Sequence, residues 1–252
     1  MTRTPGSGRF ALAGPRPRPH LSSMLKFTPI LLAILYGVAM YMMSAFRTRR
    51  ELDTKSSVLV DPGLTRHTDR LAAALDLPKI TVHVYEIAPV NGLAAPDGRI
   101  FITRGFYNKY RAGDVTGEEM ASVIAHELGH VALGHTRKRM IDFSGQNALR
   151  TALAVVFSRI LPGLGLIIAN GLSSLLAAHM SRKDEFEADA YASALLIKAG
   201  FGTAPQKALF HKLDALTQSN RGTMPAWFLS HPDVQARITA IETNEAQWVP
   251  RP

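Results

Sequence analysis

The sequence contains no cysteine among its 252 residues, which excludes disulfides, thiolate nucleophiles, Cys-rich zinc sites and a lipid anchor attached to cysteine. Any metal must therefore be held by histidine and carboxylate. The first fifty residues also lack acids, although eight of the 29 Lys and Arg lie there (Arg3, Arg9, Arg16, Arg18, Lys26, Arg47, Arg49 and Arg50), leaving 21 basic against 20 acidic residues beyond. The formal charge of +9 thus belongs to the head. The nearly neutral remainder has no basic stripe to track phosphates, so no nucleic-acid partner is expected. With 46% hydrophobic residues the chain is globular in composition, and the roughly two hundred residues beyond the head suit one domain.

Charge is also missing from Phe27 to Phe46, twenty residues that can cross a hydrocarbon core of about 30 Å as a helix. This predicts one uncleaved transmembrane helix that contacts membrane lipid, within an anchor and basic flank spanning residues 24–50. A cleaved signal peptide with Gly37-Val38-Ala39 at the cut competes, but it would leave the apolar Met40 to Phe46 as a new terminus. Residues 1–23, rich in Pro, Arg and Gly, are expected to be disordered, and Met24 offers an alternative start. Starting at Met24, the basic flank after the span places the domain that follows in the cytoplasm. Starting at Met1, basic residues on both sides leave the face open.

Beyond the anchor, residues 51–252 are read as one domain, mainly α with a small β-sheet (α+β). Leu64 to Leu75 has helical spacing of apolar residues. Ile80 to Ile87 alternates like a half-buried strand, and a second strand, Gly98 to Thr103, follows the turn-rich Asn91 to Asp97, suggesting a hairpin or small sheet. Within the first strand, His83 is read as a strand residue rather than a ligand. Thr116-Gly-Glu-Glu119 is a capping box that starts a helix through Met120 to Leu133. Residues 145–180 read as two apolar helices around Pro162-Gly163-Leu-Gly165, with core helices, a flap over the site or a second membrane span as the readings.

His126-Glu127-Leu128-Gly129-His130 lies inside that capped helix. Positions i and i+4 share a face, so both imidazoles can reach one cation, while Glu127 is turned about 100° away, where it can serve as a base for water without ligating. A catalytic zinc needs a third protein ligand. His135 lies about 140° around the helix from His130 and cannot share the metal face while the helix continues. The helix expected from Ser181 to about Ala199 offers Glu185 and Asp189 on one face. The pair suits one carboxylate on the metal and another orienting a ligating imidazole, although acids at a helix start are also favoured by the dipole.

In these residues the chain resembles the HExxH/ExxAD zinc peptidases (gluzincins) that include the type 1 CAAX prenyl protease, the heat-shock protease HtpX and the mitochondrial protease Oma. The resemblance spans roughly residues 60–245. It rests on His126 to His130, on Glu185-Phe-Glu-Ala-Asp189 preceded by Ser181-Arg182, on Asn91 ahead of a Pro-Asp-Gly turn and strand, and on Ser230-His231-Pro232 with Arg237. It implies a gluzincin-like fold and one Zn2+ per chain on His126, His130 and Glu185, with Glu127 as catalytic base and Asp189 in support. It also implies His231 and Arg237 near substrate or the transition state. The expected activity is endopeptidase cleavage of unfolded or membrane-associated polypeptides in quality control. The alternative is a zinc-containing protein that holds clients without cutting them. The substrate is expected to lie extended, touching Asn91 and pairing with the strand that carries Arg99, Ile100, Phe101 and Ile102. The prenyl protease has many spans and this sequence one clear span, so a prenylated substrate is not expected.

Overall fold

The computed structural model describes residues 21–139, 141–142, 165–219, 231 and 234–248; at 21–30, 33, 165–181 and 216–219 it describes the backbone alone. The elements are α1 (Leu21–Lys55), β1 (Ser56–Val58), α2 (Pro62–Ala74), β2 (Val82–Tyr85), β3 (Gly92–Ala94), β4 (Ile100–Thr103), α3 (Arg104–Arg111), α4 (Gly117–Ala132), α5 (Gly165–Lys198), α6 (Ala204–Ser219) and α7 (Val234–Trp248). The chain is mainly helical with one small mixed sheet, as its sequence predicts.

Helix starts follow local chemistry. Asp61 caps α2 by accepting from the Leu64 amide at 3.1 Å, with Pro62 in the first turn. Thr116 and Glu119 close a reciprocal capping box on α4: the Glu119 amide donates to Thr116 Oγ1 at 3.1 Å, and the Thr116 amide donates to Glu119 Oε2 at 2.8 Å. Every residue of α4 from Glu119 to Glu127 is buried, so it is the central helix. It packs against α2, α5, α6 and β3, and Leu64, Phe106, Met120, Ile124, Leu196 and Ile241 build the core around it.

The sheet order is β1-β2-β4-β3. β2 and β4 pair in parallel, Val82 opposite Ile100, and β3 pairs antiparallel with β4, Leu93 opposite Phe101. The hairpin is thus β3–β4, and it turns through Gly98 at φ +89, a left-handed conformation that glycine adopts without penalty. Strand β3 occupies residues that composition marks as a turn, because pairing with β4 supplies hydrogen bonds that local propensity does not reveal.

This order corrects the expected substrate strand. β4 is flanked on both sides, and Ile100, Phe101 and Ile102 are buried. With both edges paired it has no backbone groups left for an added strand. Arg99 is engaged in ion pairs to Asp53 at 2.7 Å and Asp97 at 2.8 Å.

The C-terminal end of α1 belongs to the domain. Leu52 is buried with Ala95 and Phe101, and Glu51 accepts from the Tyr85 hydroxyl at 2.7 Å. Among the described residues no helix is long and apolar enough to cross a membrane. The Pro-rich head up to residue 20 and most of the apolar stretch, 145–164, lie outside the described residues. Helix α5 begins at Gly165, so Ser181 continues a helix rather than opening one.

Candidate active site

Helices α4 and α5 cross at Gly129, where there is no room for a side chain: a Cβ on this residue would meet the Ala188 carbonyl oxygen at 2.9 Å. That close approach brings Glu185 of α5 onto the His126–His130 face of α4. His126 Nε2 lies 3.1 Å from His130 Nε2 and 3.4 Å from Glu185 Oε2, and His130 Nε2 lies 3.5 Å from Glu185 Oε1. His231, just ahead of α7, joins them, with Nδ1 at 2.6 Å from Glu185 Oε2 and 3.3 Å from His126 Nε2. All four side chains are buried.

These separations fit a small divalent cation. Tetrahedral ligands at about 2.0–2.1 Å from an ion stand roughly 3.3 Å apart, close to the three observed edges. Ligand atoms of His126, His130, Glu185 and His231 all lie within 4.8 Å of one another. Beside them Glu127 Oε1 is buried without a hydrogen-bond partner, 3.7 Å from His231 Nε2. A buried carboxylate oxygen left in that condition is costly unless something is meant to dock there.

Electrostatics separates the roles. Burial pushes the Glu127 carboxyl up to about 7, into the range where it can take and return a proton at neutral pH. Burial pushes Glu185 upward too, but the His231 and His126 imidazoles outweigh it and hold it well below the usual carboxylate range. Burial lowers His126, but bonds to the Asp189 and Glu185 carboxylates win and raise it to about 9. His130 is driven down by burial and by His126 beside it. Two imidazole nitrogens 3.1 Å apart cannot both carry a proton, so at most one of the two does.

Asp189 sits one turn beyond Glu185 and behind His126, accepting from Nδ1 at 2.9 Å. Burial raises it, but the Arg237 guanidinium outweighs burial and lowers it. Arg237 is wholly buried and donates from Nε to Asp189 Oδ2 at 2.6 Å, from Nη2 to Oδ1 at 2.8 Å, and from Nη1 to the His231 carbonyl at 3.2 Å. The guanidinium therefore points at Asp189 and the chain around His231. Asn91 lies ahead of β3, its backbone exchanging bonds with Thr103 at 3.0 and 2.9 Å. The substrate-strand residues Arg99, Ile100, Phe101 and Ile102 are not brought to this cluster. Ser230 and Pro232 lie outside the described residues.

Three neighbours escape a reading of the sequence. Gln206 of α6 donates to Asp189 Oδ1 at 3.4 Å and accepts from Ser193 at 2.8 Å. Arg139 donates to Glu185 Oε1 at 2.7 Å and to Asp184 at 3.2 Å. His135 is brought against His130, Nδ1 to Nδ1 at 3.1 Å, because α4 ends and Gly134 takes φ +70. The premise that the helix continues fails there. Gly134 itself, a glycine just past the apolar run, was the available stop signal.

The model of peptidase family M48 matches residues 59–245. The chain is 30% identical over 203 residues to the metalloprotease LoiP of Escherichia coli, covering 76% of this chain and 75% of that one. It is 25% identical to a protease HtpX homolog of Chlorobium phaeovibrioides, covering 78% and 79%. It is 24% identical to the mitochondrial metalloendopeptidase OMA1 of Homo sapiens, covering 66% of this chain and 33% of that longer one.

Proposed function

We propose, from the premise that this chain belongs to peptidase family M48, that it is a zinc-dependent endopeptidase that cuts extended segments of unfolded or membrane-associated proteins in quality control. The observation that carries the reading is the convergence of His126, His130 and Glu185 from two helices, with the unpartnered Glu127 oxygen beside them. One Zn2+ held by those three residues would supply Lewis acidity to the scissile carbonyl and acidify water. Glu127 takes the proton of the attacking water and returns it to the leaving nitrogen, which a carboxyl poised near 7 can do in both directions. Asp189 fixes the His126 ring through Nδ1, and Arg237 holds Asp189 with two bonds; Arg237 is a positioning residue rather than a substrate contact. His231, with Nε2 3.7 Å from Glu127 Oε1, lines the space in which the water and the scissile carbonyl would meet.

The open edge of the sheet nearest the site is β3, which packs beside α4. A substrate strand added there, next to Asn91, would lie over a cleft lined by Ala95, Gly98, His130 and Val131. Helix α1 is read as a single-pass anchor in membrane lipid. In its support, Leu31, Leu32, Leu35, Val38, Met42 and Phe46 are all more than 45% exposed along one face of the helix, an apolar patch that water does not stabilise. Resistance of the full chain to alkaline carbonate extraction checks this.

One observation favours a second reading. His231 stands where a fourth ligand would, and a closed four-ligand set is that of a structural zinc, as in a protein that holds clients without cutting them. Metal analysis and casein digestion by the full chain, wild type beside Glu127→Gln, decide between them. One zinc per chain is expected, with digestion abolished by chelator and by Glu127→Gln. Zinc without digestion in the wild type would favour the holding protein, and undiminished digestion by Glu127→Gln would overturn the mechanism.

A further inference from the structure

His135 is buried against the site, and the reaction above does not use it. Its Nδ1 is 3.1 Å from His130 Nδ1, and its Nε2 is 3.1 Å from Glu187 Oε2 and 3.9 Å from Asp184 Oδ1. A neutral imidazole has one N–H and one lone pair. Two facing Nδ1 atoms can therefore share only one proton, and the direction of that bond is set by whichever ring is committed elsewhere.

His130 is the committed ring. Its Nε2 points into the cage of His126 and Glu185, so ligation there needs the Nε2 lone pair and puts the proton on Nδ1. His135 must then accept at Nδ1 and carry its own proton on Nε2, where the carboxylates of Glu187 and Asp184 can only accept. The chain of bonds is satisfied in one direction: His130 Nδ1–H to His135 Nδ1, then His135 Nε2–H to Glu187. From this geometry we infer that His135 is a positioning residue for the metal ligand His130, fixing its tautomer and ring plane and passing it negative charge from Glu187.

The way His135 arrives supports the same role. Gly134 reverses the chain after α4, and the helical segment 135–139 that follows places His135 on His130 and Arg139 on Glu185. One short brace thus holds a ligand from each of two helices.

His135, Asp184 and Glu187 could also be taken as a second cation site, since their ligand atoms lie within 4.8 Å and Asp184 Oδ1 is buried without a hydrogen-bond partner. A cation on His135 Nε2 would force its proton onto Nδ1, against the Nδ1–H of a ligating His130, two protons between nitrogens 3.1 Å apart. Positive charge is already supplied there by Lys138, 3.6 Å from Asp184, and Lys183, 3.4 Å from Glu187. The proton therefore takes the place a metal would.

The inference rests on the proposed zinc reading and is separable from it: a chain that binds no zinc fails that reading, whereas one that binds zinc equally well without His135 fails only this inference. Zinc affinity of the full chain is measured by competition with a chromophoric chelator. His135→Leu is expected to weaken it about 10- to 100-fold, while His135→Gln, which keeps an acceptor, recovers most of the loss. Glu187→Ala, at a side chain 42% exposed on the rim, weakens it several-fold. Nitrogen-15 spectra of the imidazoles in the zinc-loaded protein are expected to show His135 protonated on Nε2. Equal affinity in His135→Leu and Glu187→Ala, a proton on His135 Nδ1, or a second zinc per chain in the wild type that His135→Leu removes would overturn the inference.

Discussion

Replacing Gly129 by alanine would place a methyl carbon 2.9 Å from the Ala188 carbonyl oxygen, 3.1 Å from Ala188 Cα and 3.3 Å from Tyr191 Cβ. Two of those atoms are backbone and cannot swing aside. Carbon contacts settle near 3.5–4.0 Å, so α4 and α5 would have to part by about 0.5 Å. Overpacking of this kind costs about 1–3 kcal/mol, offset by about 1 kcal/mol of helix propensity gained over glycine. Net destabilisation is thus small, and at about 2–4 °C per kcal/mol the melting temperature falls by no more than about 8 °C. The ligands feel the change more, because His126 and His130 ride on α4 and Glu185 on α5. Their separations of 3.4 and 3.5 Å would approach 4 Å, past the roughly 0.5 Å tolerance of a preorganised site. Zinc affinity, measured by chelator competition beside thermal melting of the metal-free protein, is expected to fall about tenfold or more. Gly129→Ala that binds zinc as tightly as the wild type, with an unchanged melt, would refute the claim that this glycine sets the spacing of the cage.

Removing the guanidinium by Arg237→Leu leaves buried Asp189 with only its bonds from His126 and Gln206, and urea denaturation should show a loss of about 3 kcal/mol. Arg237→Lys should recover only part of it, since an ammonium cannot make the paired bonds to both Asp189 oxygens. At Asp61, burial raises the carboxyl, but the Leu64 amide, the Tyr107 hydroxyl and other donors outweigh it and lower it below its ordinary value. A lowered folded-state value contributes stability above the unfolded value of about 3.9 and loses it as pH falls through the folded one. Asp61→Asn should therefore cost roughly 1 kcal/mol at pH 7, with the gap from wild type closing in acid below about pH 4. Thr116→Ala removes one half of the capping box that starts α4, and is expected to cost about 1 kcal/mol by thermal melting.

Two kinds of information separate in this chain. The sequence by itself determined what is local: the Thr116 capping box sets the start of α4, and the four-residue spacing of His126 and His130 puts both rings on one face whatever the helix packs against. The pairing of Glu185 with Asp189 follows from the same periodicity. What only the tertiary structure decided depends on distances between elements remote in sequence. Strand β4 reads as an available partner for substrate until β2 and β3 are seen on either side of it. His135 looks turned away from the metal until Gly134 ends the helix and folds it back. Arg237 is expected near substrate by resemblance alone until α7 sets it behind Asp189, 48 residues earlier in the chain. Side-chain direction along a helix or strand is fixed by backbone geometry, whereas strand order and helix crossing are fixed by the burial of many side chains at once, a sum that no short window of residues contains.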